Sequence, residues 1–182
     1  MAYFGCLGVG FMLIELGLIH RFTVLLGYPA YSFITVVTTL LLAGGIGSWL
    51  SGHPTIHGRR RVLCLALAAV AVAISAIALE PEHVHALRAL PAAWRTACVA
   101  GLIAPLGLAM GMCFPLGMDV LRRLHPGIVA WGWGVNGACG VFGCAATLVI
   151  ALNFGLTACL LTGGACYLVA LACVATVRVP GA

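Results

Sequence analysis

A chain of 182 residues with 63% hydrophobic and 7% charged residues is far from the make-up of a soluble domain, where about a quarter of residues carry charge. The formal net charge of +5 rests on nine basic residues, all Arg and mostly gathered into two short segments, which excludes the broad basic face with interleaved aromatics of a nucleic-acid surface. The chain reads instead as one all-α, polytopic membrane domain over residues 1–182, long enough for about six crossings of about 20 residues each and without room for a sizeable soluble domain.

The first span is expected from Tyr3 to His20. No Lys or Arg precedes Arg21, which argues against a cleaved signal peptide and for a helix that stays. Glu15 lies inside this apolar run, where a carboxylate costs about 3 kcal/mol at the bilayer centre on insertion scales, so it requires a partner, a proton or a water-filled cavity. Its place below Arg21 sets it off-centre toward the outer face, where Arg95, or Arg21 of a neighbouring copy, is a candidate partner. Gly27-Tyr-Pro29 turns into a second span from Ala30 to Gly52, with Pro29 suited to a helix start. His53 to Arg61 forms the first basic loop, and a third span runs from Val62 to Leu79.

Residues Glu80 to Trp94 place Val84, Leu87, Leu90 and Trp94 at helical spacing, which predicts a short interfacial helix between spans three and four. The fourth span, Arg95 to Met118, contains Pro105, where a kink is expected. Asp119 to Gly127 is the second basic loop, with Asp119 paired to Arg122 or Arg123. The fifth span, Ile128 to Ile150, turns at Asn153-Phe-Gly155 into the sixth, Leu156 to Val177. Arg59, Arg60, Arg61, Arg122, Arg123 and Arg178 fall on one side, against Arg21, Arg88 and Arg95 on the other, which predicts six helices with both termini cytoplasmic.

Gly132-Trp-Gly134-Val-Asn-Gly137 matches the GxGxxG pattern, but no strand precedes it and no acidic residue follows about 20 positions on, so a dinucleotide site is not expected. Gly134, Gly137, Gly140 and Gly143 instead predict a groove for close helix approach. With Gly107, Gly111, Gly44, Gly45 and Gly47 offering matching surfaces, spans two, four and five are expected to form a tight core. Asn136, deep in span five, needs a partner on another helix, and Glu15 is one candidate. A second reading of both residues is a polar path for a small cation or amine.

The nine cysteines form no CxxC or CxxCH, which removes zinc-ribbon, thioredoxin-like and c-type haem readings. Cys159, Cys166 and Cys173 share a helix face and read as packing residues. The histidines sit near span ends, unlike the facing pairs of a transmembrane haem. Glu80-Pro-Glu-His-Val-His85 reads as a solvated rim, since His83 and His85 diverge on a helix. No metal, no cofactor and no catalytic set is expected; bound lipid is.

Phe11-Met-Leu-Ile-Glu15, Leu18-Ile-His-Arg-Phe22, Leu26-Gly-Tyr-Pro29 with Tyr31-Ser32, Phe114-Pro-Leu-Gly-Met118 and Ala130-Trp-Gly-Trp-Gly-Val-Asn-Gly-Ala138 resemble the membrane part of the bacterial multipass spermidine-synthase-like proteins. In that family a soluble aminopropyltransferase-type domain is fused to membrane helices. The family often carries Gln where this chain has His20, and His where it has Tyr28. The resemblance covers nearly the whole chain and implies a membrane module without its enzyme domain. No catalytic residue carries over; Glu15, His20, Arg21, Pro115, Trp133 and Asn136 carry over as motif positions only. The expected function is a non-catalytic subunit or scaffold in the bacterial inner membrane, in contact with lipid and other integral membrane subunits, or with a second copy of itself. The alternatives are a transporter or channel-like module, or the anchor of a separate aminopropyltransferase.

Overall fold

The computed structural model describes residues 1–53, 59–79 and 89–176, and among these every regular element is helical. Helix α1 spans Ala2–Leu26, α2 Pro29–Ser51, α3 Arg59–Leu79 and α4 Ala92–Leu124. A short 3-10 turn, Pro126–Ile128, leads into α5, Val129–Thr176. Four of these, α1, α2, α4 and α5, are long and apolar enough to cross a membrane, while the apolar part of α3 is the shorter Val62–Ile77.

Two glycines set the turns. Gly27 ends α1 with φ 86° and its N–H bonded to the Thr23 carbonyl, a left-handed cap that only glycine takes without strain. Pro29 opens α2 immediately afterwards. Within α5 the helix is interrupted at Gly155, φ 86° and ψ 167°, where the sequence predicts a turn. Gly8 of α1 lies at the level of Asn136 and Gly140, and Val9 and Met12 at the level of Gly143, so the first arm of α5 runs in the direction of α1. Gly10 meets Gly163 and Tyr167, while Gly17 meets Leu160, so the second arm runs back along α1. Helix α5 is therefore a hairpin that sheathes α1 with both of its arms.

α1 is the most buried of the long helices, and Leu13, Ile14, Leu18, Phe22 and Leu25 on it are fully enclosed. Its far flank meets α2 and α4, which cross through glycines: a Cβ on Gly111 would strike the Gly44 backbone, and one on Gly47 the Leu108 carbonyl. The expected core of spans two, four and five is thus only partly formed. α2 and α4 do pack tightly, but the fifth span packs on α1, and a cavity separates it from α2.

Other boundaries shift for physical reasons. α1 continues to Leu26, past the expected end at His20, because nothing before Gly27 breaks a helix. α4 begins at Ala92 and takes Trp94 into its first turn; of the rest of the predicted interfacial helix, residues 89–91 are not α-helical and residues 80–88 lie outside the described residues. At its other end α4 runs through most of the second basic loop to Leu124, and Arg123 Nε pairs with Asp119 at 3.1 Å one turn away, a cation placed where the helix dipole favours it. Pro105 and Pro115 sit inside this continuous helix, and each leaves the carbonyl four residues earlier, on Gly101 and Gly111, without its helical N–H.

The ends of the elements are ordered. Met1, the last turn of α4 at Leu124 and the last turn of α5 at Val174 surround one small cavity. At the opposite end Arg95, in the first turn of α4, donates from Nη1 to the Leu25 carbonyl of α1 at 2.8 Å.

Candidate functional site

The interior polar groups are few, and most are directed at backbone. Tyr3 donates to the Cys113 carbonyl of α4 at 2.6 Å and Ser32 to the Ile19 carbonyl of α1 at 2.6 Å. Asn136 Nδ2 donates to the Phe4 carbonyl at 3.1 Å, and the Cys159 thiol approaches the Leu13 carbonyl at 3.5 Å. A helical carbonyl keeps a second lone pair after its own ladder bond is made, so each of these bonds ties two helices without breaking either.

A cavity of about 590 Å³ lies between α1, α2, α4 and the first arm of α5. Phe11 and Met12 of α1 form its floor, Gly44 and Gly45 of α2 one wall, and Met110 and Phe114 of α4 another. The third wall carries Asn136 and Gly137, and Tyr167 reaches the cavity from the second arm of α5. Gly10 makes that reach possible, since the Tyr167 ring lies where a larger residue at position 10 would project. The cavity has the size of a small-molecule site, mostly apolar with few polar groups.

Of the sequence-predicted positions, Asn136 lines this cavity and Trp133 stands behind it, its ring 4.5 Å from that of Phe114, next to Pro115. Glu15 does not meet Asn136. Asn136 is held at the level of Phe4 and Gly8, and Glu15 lies two turns further along α1, about 10 Å away along the axis. Nor does Arg95 serve it within the chain, because its guanidinium is engaged at Leu25, about 15 Å beyond Glu15 along the same helix. Among the described residues the half-buried Glu15 has no hydrogen-bond or ion-pair partner. It sits one turn from Phe11 and Met12 on the cavity floor and one turn from Ile19, where Ser32 docks. Arg21 is half-buried in the last turns of α1. His20 is exposed and lines a separate cavity of about 310 Å³ with Thr147 and Leu156, near the α5 reversal.

Two features escape the sequence reading. Tyr3 and Tyr167 count there only as apolar residues, although for Tyr167, in the middle of its span and away from the interfacial belt, the tyrosine is itself a signal that its hydroxyl has a use. The glycine stripe of span five divides: Gly140 and Gly143 lie against α1, whereas the Cβ positions of Gly134 and Gly137 have no atom within 4 Å. The cysteine series keeps its predicted face, with Cys159 and Cys166 against α1 at Gly17 and Gly10, and all nine cysteines are free.

With this geometry in place, comparison with known proteins gives no match to a family model, a curated protein or a solved structure.

Proposed function

We propose that the chain is a non-catalytic integral membrane subunit that packs within a larger complex, crossing a bacterial inner membrane six times with both ends cytoplasmic. The observation that carries this reading is the destination of the interior donors. Tyr3, Ser32, Arg95, Asn136 and Cys159 all engage a backbone carbonyl of a neighbouring helix, four of the five on α1. Groups used in this way fix helices in place and are not available for proton or group transfer.

The six-crossing arrangement is supported by the reversal at Gly155, by the opposite directions of the two α5 arms along α1, and by Arg122 and Arg123 in the last turn of α4, at the end where Met1 lies. Partner surfaces are supplied by α2 and by the outward side of the α5 hairpin. Tyr31, Ile34, Leu41, Trp49, Val141 and Phe142 stand exposed there, and such faces suit lipid and other membrane helices alike. The family resemblance implies a membrane module without its enzyme domain, and an alternative reading makes this chain the anchor of a separately encoded aminopropyltransferase. Gentle detergent extraction followed by native mass spectrometry tests the proposal. A defined set of larger membrane subunits is expected to travel with the chain, and a monodisperse chain without them would overturn it.

One observation favours a second reading. Glu15 is a half-buried carboxylate without a partner among the described residues, one turn from the floor of a cavity, and an intramembrane carboxylate of that kind marks an ion or amine path. In vesicles reconstituted with the pure chain, amine or cation flux that Glu15→Gln reduces at least tenfold is the expected result of this reading. Flux unchanged by Glu15→Gln would eliminate it.

A further inference from the structure

We propose that the cavity between α1, α2, α4 and α5 is a binding site for a neutral, lipid-soluble ring compound bearing a carbonyl oxygen, the chemistry of a quinone headgroup, with Tyr167 as its hydrogen-bond donor. Tyr167 is 1% exposed and lines the cavity, yet its hydroxyl has no hydrogen-bond partner among the described residues. Among the described residues Arg95 Nε alone is a sealed-in side-chain nitrogen or oxygen without a partner, so the unpaired Tyr167 hydroxyl keeps part of that small exposure and is open to an incoming acceptor. Tyr3, on the same side of the bundle, has its hydroxyl satisfied by the Cys113 carbonyl. The Tyr167 phenol lacks such an acceptor, and a ligand oxygen in the cavity would supply it.

The lining selects the rest of the ligand. No charged side chain borders the cavity, so an ionic headgroup would be desolvated without compensation. Phe11 and Phe114 offer aromatic rings and Met12 and Met110 polarizable thioethers, which suit a flat unsaturated ring better than a saturated chain. Leu41 and Val141 line the cavity and are also among the exposed residues, so its mouth opens on the lipid-facing surface and the ligand enters from the bilayer. A volume of about 590 Å³ is ample for a ring with the first part of an isoprenoid tail. This site is independent of whether the chain works in a complex.

The glycines provide a clean test. Gly137 and Gly45 both border the cavity, and the Cβ position of each is free of neighbours within 4 Å, so a side chain there fills the cavity without disturbing a helix contact. Gly134 is equally open but does not border the cavity. The full chain with Trp49, Trp94 and Trp131 replaced by Phe, purified in detergent, is titrated with a short-chain benzoquinone and a short-chain naphthoquinone while the emission of Trp133, packed on the cavity-lining Phe114, is followed. Saturable quenching is expected. Gly137→Leu and Gly45→Leu abolish the saturable part and Gly134→Leu leaves it intact. Tyr167→Phe, which removes one oxygen, weakens it about tenfold, with helical content and elution volume unchanged. Quenching that never saturates, or that is the same in Gly137→Leu, would overturn the site. Saturable quenching indifferent to Tyr167→Phe would remove Tyr167 as the donor and overturn the quinone reading, and displacement equally well by a diacylglycerol would assign the cavity to an acyl ester and overturn it too.

Discussion

Replacing Gly8 by Val is expected to destabilise the bundle by about 3 kcal/mol or more, since overpacking against atoms that cannot yield is the costly kind. A Cβ at this position would land on the Asn136 carbonyl, and the Gly140 amide nitrogen stands 3.0 Å away. Both obstacles are backbone, so no rotamer change relieves them. The helices must separate, and separation also breaks the Asn136 bond to Phe4. Gly134→Val makes the same chemical change on the facing helix at a position with nothing within 4 Å, and is expected to stay within about 0.5 kcal/mol of the parent, as surface substitutions do. Unfolding titrations in mixed micelles, read by far-ultraviolet circular dichroism, measure both. Equal midpoints for the two variants would show that the α1–α5 approach carries little of the stability.

The contrast between these two glycines also shows what could be read from the chain and what could not. Hydropathy located the apolar segments, because each must cover itself with lipid or protein along its length whatever it packs against. Gly27 and Gly155 were legible as turns for a similar reason: they act on their own backbone. Packing partners are a different kind of property. A step of three residues turns a helix back by about 60°, so four glycines so spaced spread over about half its circumference. Gly140 and Gly143 face α1 and Gly134 and Gly137 do not, and nothing local to the stripe says which pair is chosen.

The second basic segment teaches the same lesson from another direction. Arg122 and Arg123 mark where the membrane is expected to end, but Leu121, Arg122, Arg123 and Leu124 are all good helix formers, and no breaker arrives until Pro126. The helix therefore outlasts the apolar run. For Asn136 the need of a partner was legible and the partner was not. A carboxylate looked like its natural complement, whereas the Phe4 carbonyl, present on the helix whatever its side chains, was closer. The cavity was illegible because it is a gap between four elements, and Tyr167 enters it only by virtue of Gly10 on a distant part of the chain.

Gly155→Leu is the second substitution with a large expected effect, and its cause is opposite to that at Gly8. Nothing stands within 4 Å of its Cβ position, so space is not the issue. Its φ of 86° and ψ of 167° fall in a region that is essentially glycine's alone, at a cost of about 1–3 kcal/mol for any other residue. Relief by straightening is closed off, because the 48 residues of α5 would then extend about 72 Å across a hydrocarbon layer of about 30 Å. Straightening would also carry Cys159, Gly163 and Tyr167 away from α1. The strained turn is thus retained and the destabilisation appears in full, about 2 kcal/mol in the same micelle titration. Since the backbone and not the volume is responsible, Gly155→Ala should cost the same as Gly155→Leu, whereas at Gly8 the cost should rise from Ala to Val. A cost at position 155 that climbed with side-chain size would place a neighbour beside the turn and displace the conformational explanation.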